Sequence, residues 1–161
     1  MEEIKLDMEN LTKEEREQLL KLVERANKKD GGVWKPSQGG KYYYIGCDGG
    51  IYDTYWYAKV DVNCYSIGNC FKTKKEAEFA LERHKVIVEL ERFAKENNEN
   101  DGLGSPFALT LNNYTGYIDV TGIYQNCGTT IIKFSSVNIA KRAVEKIGAN
   151  RIKKYYFGVK D

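Results

Sequence analysis

Phe71-Lys72-Thr73, followed by Ala77, Ala80, Leu81 and Glu82, recurs as Phe134-Ser135-Ser136, followed by Ala140, Ala143, Val144 and Glu145. Every matched position keeps the same offset. In both copies an aromatic residue closes a strand-like segment. A hydroxyl residue two places on stands where a helix N-cap accepts a backbone N–H. Small apolar residues then follow at helical spacing. A strand end leading into a capped helix, twice over, implies an α+β architecture built by repetition. The stretch carries no reactive constellation, so it dictates a scaffold and not a chemistry.

Upstream of the first copy, Tyr42-Tyr43-Tyr44-Ile45 leads into Asp48-Gly49, a tight-hairpin signal because both residue types tolerate positive φ. The return strand is expected over Ile51–Val60. Its alternation puts Tyr52, Trp56, Ala58 and Val60 on one face and Ile51, Tyr55 and Tyr57 on the other. With aromatics on both faces, the second face is either covered or a binding platform. A third strand is expected from Cys64 to Phe71, with Gly68 as a bulge or close approach. Thr73 and Glu76 form a capping box that opens a long helix reaching about Asn97. One apolar stripe of that helix is Ala77, Ala80, Leu81, Ile87 and Val88; a second, rotated one is Phe79, Val86, Leu90 and Phe93. Stripes this wide predict two neighbours: the sheet and the first helix, or a second copy in a homodimer through this helix.

Around the second copy, the polar run Asn97–Gly102 separates the halves. Strands are expected at Phe107–Leu111, Tyr114–Tyr124 and Thr129–Phe134, with a turn at Asn112-Asn113. Ser136 caps a helix ended by Gly148. The tail Asn150–Val159 reads as a short helix or an edge strand, the favoured reading being a short helix capped by Asn150. At the other end, residues 11–29 form a helix opened by Thr12 and Glu15, with Leu19, Leu20, Val23 and Ala26 on one stripe. Asp30-Gly31-Gly32 stops it. The expected fold is therefore an N-terminal helix followed by two β-β-β-α repeats, an antiparallel sheet with helices packed on one face. The segments are 1–40 (helix and Trp-containing linker), 41–98 (first repeat) and 99–161 (second repeat with a basic, aromatic tail).

Composition narrows the function classes. The formal net charge of the 161-residue chain is +2. That argues against both an acidic nucleic-acid mimic and a strongly basic coat protein. Twelve tyrosines point to β-structure or a contact surface. Cys47, Cys64, Cys70 and Cys127 form no Cys-x-x-Cys pair, and His84 is the only histidine, so no zinc site, metal or cofactor is expected. Free thiols fit a reducing cytosol. With no secretory signal or membrane span in view, the expected location is cytoplasmic.

No enzyme motif emerges. His84 lacks a nucleophile elbow to serve, and Gly39-Gly40-Lys41 is too short for a phosphate loop. Asp48, Asp53, Asp61 and Asp119 are scattered, and turn or solvated-strand roles account for them. The expected chain is not an enzyme, and its chemistry is that of contact. Trp34 either pins the linker to the core or anchors a partner. With it, Tyr43, Tyr55, Trp56 and Tyr57 are the partner-binding candidates. Arg151-Ile152-Lys153-Lys154-Tyr155-Tyr156-Phe157 interleaves cations with aromatics, a combination that holds phosphates while stacking on bases. Lys141, Arg142, Arg151, Lys153, Lys154 and Tyr155 are the nucleic-acid candidates. The alternative is a solvated basic tail with its tyrosines folded onto the core.

Four segments carry a family resemblance: Leu11-Thr12-Lys13-Glu14-Glu15-Arg16; Trp34-Lys35-Pro36 with Gly39 and Tyr42–Ile45; Gly68 through Glu78; and Arg151 through Gly158. Together they resemble a group of small accessory proteins from phages and prophages of low-GC Gram-positive bacteria. The resemblance implies action by binding a host factor in the host cytoplasm. The job it implies first is counter-defence, as an anti-CRISPR inhibitor of a type II (Cas9) effector, engaging Cas9 with its guide RNA. The near-neutral charge departs from inhibitors that imitate DNA, so docking through aromatic and basic patches is expected. Two other readings stand beside it. One is a non-enzymatic single-stranded nucleic-acid-binding phage protein; the other is a sponge that sequesters a nucleotide signal between subunits.

Overall fold

Helix α1 (Lys13–Lys29) starts where Thr12 and Glu15 satisfy each other. The Thr12 N–H donates to Glu15 Oε2 at 2.9 Å, and the Glu15 N–H donates to Thr12 Oγ1 at 3.3 Å. Of the expected stripe, Leu19 is half-buried and Leu20 exposed; the side chains of Val23 and Ala26 lie outside the described residues. The computed structural model describes residues 11–29, 34–99, 106–123 and 131–160. The stop at Asp30-Gly31-Gly32, Cys127, Thr129 and Thr130 of the expected third strand of the second half, and the run Asn100–Gly102 fall outside them. The chain divides into two units, residues 1–35 and 36–161.

The second unit is α+β, with two small antiparallel hairpins and several helices. Strands β1 (Lys41–Ile45) and β2 (Ile51–Tyr55) pair from Lys41 opposite Tyr55 to Ile45 opposite Ile51. The hairpin is where the sequence placed it, but its loop is wider than a two-residue turn. Gly46 through Gly50 form it, and of Asp48-Gly49 the glycine takes a positive φ of 78°. Asp48 Oδ1 accepts the Gly50 N–H at 2.9 Å, closing the loop with a side chain.

The sequence expectation fails after Tyr55. The strand expected to reach Val60 ends there, and helix α2 (Ala58–Ser66) follows. No side chain caps α2 at Tyr57, so the usual start signal is missing. The start is held instead by Asp61, which accepts from both the Tyr57 N–H and the Tyr42 hydroxyl. That carboxylate is 8% exposed, and Tyr42 beside it is 1% exposed. Burial first, and the Asp61 carboxylate next, hold the Tyr42 phenol well above its usual range. The phenol therefore stays a donor. Trp56 packs edge-on against Tyr42 and Tyr65.

The third strand of the first half is likewise absent. Phe71 alone bridges Tyr43, through reciprocal N–H···O bonds of 2.9 Å each. Further along β1, the Asn69 side-chain amide substitutes for a strand. It accepts the Ile45 N–H and donates to the Ile45 carbonyl, both at 2.9 Å. Backbone groups satisfied by a side chain do not require a further strand. Gly68, expected as a bulge, sits at φ 75° in the turn that leaves α2.

Helix α3 (Lys74–Asn97) opens with the Thr73–Glu76 capping box. It packs against β1 and β2 and against the Val137–Ile147 helix and the C-terminal turn. The sheet and the first helix, or a second copy, were the expected neighbours; within this unit the neighbours are the first hairpin and the C-terminal helices. Strands β3 (Phe107–Leu111) and β4 (Ile118–Gly122) form the second hairpin, pairing Phe107 opposite Gly122 and Leu111 opposite Ile118. The strand expected over Tyr114–Tyr124 is shorter because Asn112 captures the loop. Its Oδ1 accepts the N–H groups of Tyr114 and Thr115. Of the strand expected at Thr129–Phe134, Ile131–Lys133 are not strand; Phe134 makes a single bridge to Phe107, with bonds of 2.9 and 2.8 Å.

Helix α4 (Val137–Ile147) begins at Ser136, whose Oγ accepts the Ile139 N–H at 3.3 Å. Gly148 ends it with φ 99°, a conformation that favours glycine. The tail is helical as expected, though its cap is not Asn150. The short α5 (Ala149–Arg151) starts directly after Gly148 and widens into a π-helical turn over Ile152–Tyr156. The core lies between α3, α4, the second hairpin and this turn. Val86, Leu90, Phe93, Leu109, Phe134, Ala140, Ala143 and Ile152 fill it.

Candidate functional site

The outer face of the first hairpin is set by register. Residues directly opposite in an antiparallel pair share a face, so Lys41, Tyr43, Asp53 and Tyr55 lie together. Lys41 Nζ pairs with Asp53 at 3.0 Å and stands 5.5 Å from the centre of the Tyr43 ring. The hydrogen bond to Asp53 raises the Lys41 pKa. Tyr55 is 55% exposed and Tyr57, just beyond the strand, 60%. Tyr42, Tyr44 and Tyr52 occupy the other face as a contact series. Tyr43 is half-buried, and so is Trp34 in the first unit.

Trp56 belongs elsewhere. It was expected with these residues on the surface, but at 2% exposure it is a core residue. The alternation that grouped it with an outer strand ends at Tyr55.

The basic candidates separate into different roles. Arg151 makes a two-pronged bond to Glu89, at 2.7 and 2.9 Å, and reaches Glu82 at 3.6 Å. Its charge is thereby paired with carboxylates of α3, although the side chain stays 35% exposed. The hydrogen bond from Arg151 holds Glu89 below the usual carboxylate range; for Glu82 the Lys85 hydrogen bond is the leading cause and Arg151 a lesser one. On α4, Arg142 bonds Asn97 at 3.3 Å, and Arg142 and Lys146 both lie over the Phe93 ring. Lys141 is exposed on the same helix.

Lys153, Lys154 and Tyr155 do come together, on the π-helical turn. Lys153 Nζ stands 5.3 Å from the centre of the Tyr117 ring, and Lys154 Nζ 6.0 Å from that of Tyr155. Tyr155 in turn packs on Phe79 of α3 at 5.3 Å. Beside them is an open concavity of about 510 Å³, lined by Asn150, Arg151, Lys153, Lys154, Tyr155 and Val159. Sequence reasoning missed Tyr117 and Phe79. Phe79 was assigned to a core stripe, yet it is 39% exposed; Tyr117 was assigned to a strand, yet it is 68% exposed at the end of a loop. A tyrosine beside an Asn-rich turn was the available signal.

Among the described residues no cluster of His, Cys, Asp and Glu could hold a metal ion. No helix among them is long and apolar enough to cross a membrane. Burial pushes the Cys70 thiol up to about 11, with Cys64 and Asp61 adding to the shift, so at neutral pH it is a poor nucleophile. No family model, curated protein or solved structure matches the chain.

Proposed function

We propose that this protein acts by binding rather than by turnover, as a phage counter-defence protein directed at a type II CRISPR effector, Cas9 with its guide RNA. The observation that carries the binding half is the pair of uncovered tyrosines, Tyr55 and Tyr57, beside the Lys41–Tyr43 contact. Large aromatic side chains presented on a supported strand are the usual energetic centres of protein interfaces. The phage resemblance supplies the identity of the partner. The scaffold behind this reading is a duplicated unit: hairpin, one-residue bridge, capped helix. Its support is that Phe71 and Phe134 occupy matching bridges, and that Ala77 and Ala140 behind them are both 0% exposed.

The test is co-purification with Cas9–guide RNA, together with DNA cleavage by that complex in the presence of the protein. Inhibited cleavage is the expected result, with the double variant Tyr55→Ala/Tyr57→Ala at least about tenfold weaker. Undiminished cleavage at saturating protein, with no stable complex, rejects the partner. Binding that the double variant leaves intact rejects the hairpin as the docking face.

A further inference from the structure

We infer that the surface built by Tyr117, Lys153, Lys154, Tyr155 and Phe79 binds single-stranded nucleic acid, with phosphates against the two lysines and unpaired bases on the exposed aromatic faces. Three observations converge on it. First, the lysines lie beside aromatic rings, Lys153 by Tyr117 and Lys154 by Tyr155. A cation next to a ring face matches the alternation of phosphate and base along a single strand. Second, the aromatic series extends from the tail onto two other elements, because Tyr117 comes from the second hairpin and Phe79 from α3. Their exposures of 68% and 39% leave ring surface to stack on. Tyr155 itself packs partly against the core, so the outward ring surface is that of Tyr117 and Phe79. Third, the adjoining concavity of about 510 Å³ falls in the size range of small-ligand sites.

The same geometry removes residues from the site. Arg151 is paired with Glu89 and Glu82, and the ring beside Arg142 and Lys146 is Phe93, which at 5% exposure offers no face to a base. Binding is assigned to Lys153 and Lys154 because both line the concavity and adjoin the Tyr117 and Tyr155 rings. Single-stranded partners are favoured over duplex because a duplex keeps its bases stacked and offers only phosphates.

The experiment is fluorescence anisotropy of the full chain with labelled oligo-U, oligo-dT and a blunt DNA duplex, at about 50 and 200 mM salt. Both single strands, or either, should bind more tightly than the duplex; which is preferred names the natural sugar. The double variant Lys153→Ala/Lys154→Ala should flatten the logarithmic salt slope by about 1.4 and weaken binding about tenfold near 0.15 M salt. Tyr117→Ala should weaken binding roughly 5-fold or more, and Tyr117→Phe should restore it. Melting temperatures of these variants should match the parent. Three results each overturn the inference: no binding at low salt, duplex binding as tight as single-strand binding, or variants that fold and bind like the parent. None of these depends on whether Cas9 is the protein partner.

Discussion

Replacing Arg151 with alanine should cost stability and leave single-strand binding intact, because Arg151 fastens the π-helical turn to α3. The guanidinium meets Glu89 at 2.7 and 2.9 Å and Glu82 at 3.6 Å. Two parallel N–H···O bonds to one carboxylate are stronger than a single contact. Solvent limits the gain, since the Arg151 and Glu89 side chains remain 35% and 41% exposed. An exposed pair is worth at most about 1 kcal/mol, and a charged hydrogen bond about 1.5 to 3. The screened, two-pronged geometry lies between these, at about 1 to 2 kcal/mol. Removal also leaves the like charges of Glu82 and Glu89 with only Lys85 to offset them, which acts in the same direction.

The pH dependence follows from the carboxylates. Arg151 depresses the pKa of Glu89 and, more weakly, that of Glu82, from the ordinary value of 4.5. Their contribution is therefore complete above that value and fades as the pH falls through the depressed folded pKa values. Urea unfolding of the parent and Arg151→Ala should differ by about 1 to 2 kcal/mol near pH 7, and the gap should shrink steadily below about pH 4.5. A double-mutant cycle with Glu89→Gln isolates the pair. A gap that persists unchanged in acid, or a coupling energy of zero, would refute the ion-pair account. Lost oligonucleotide binding in a folded Arg151→Ala would refute its exclusion from the nucleic-acid surface.

Two further outcomes follow from the packing. Tyr42→Phe keeps the ring against Trp56 but deprives Asp61 of the donated hydroxyl hydrogen. Urea denaturation should register a loss of about 1 to 2 kcal/mol, and an unchanged midpoint would show that Asp61 does not depend on this bond. Phe134→Ala opens a void at a residue 1% exposed among Leu90, Ala140 and their neighbours. It should cost about 3 to 5 kcal/mol by the same measurement, and a cost below about 1 kcal/mol would place Phe134 outside the core.

Local chemistry was legible wherever neighbouring residues settle a backbone problem among themselves. Thr12 with Glu15, Thr73 with Glu76, and Ser136 could be read because a cap spans only three residues. The first hairpin and the run of β3 were legible from apolar and aromatic clustering bounded by turn residues. Misreading began where a distant residue supplied the missing partner. The segment after Tyr55 alternates like a strand, yet Tyr42 reaches across the fold to Asp61 and helps fix a helix start. Likewise the Asn69 amide stands in for strand backbone beside Ile45, so the expected third strand contracts to one bridge at Phe71.

The candidate sites divide in the same way. Lys153, Lys154 and Tyr155 were visible as a run of alternating types. Their alliance with Tyr117 and Phe79 was not, because those residues are remote in sequence and meet the turn only after α3 and the second hairpin pack around one core. Trp56 was misplaced because burial is a property of the packed molecule and not of alternation. The amino-acid order by itself settled where helices α1, α3 and α4 begin, since capping is short-ranged. That Arg151 pairs with carboxylates of α3 was decided only by tertiary structure. Charge pairing acts through space, and Glu89 and Arg151 become neighbours only when α3 and the tail are brought together.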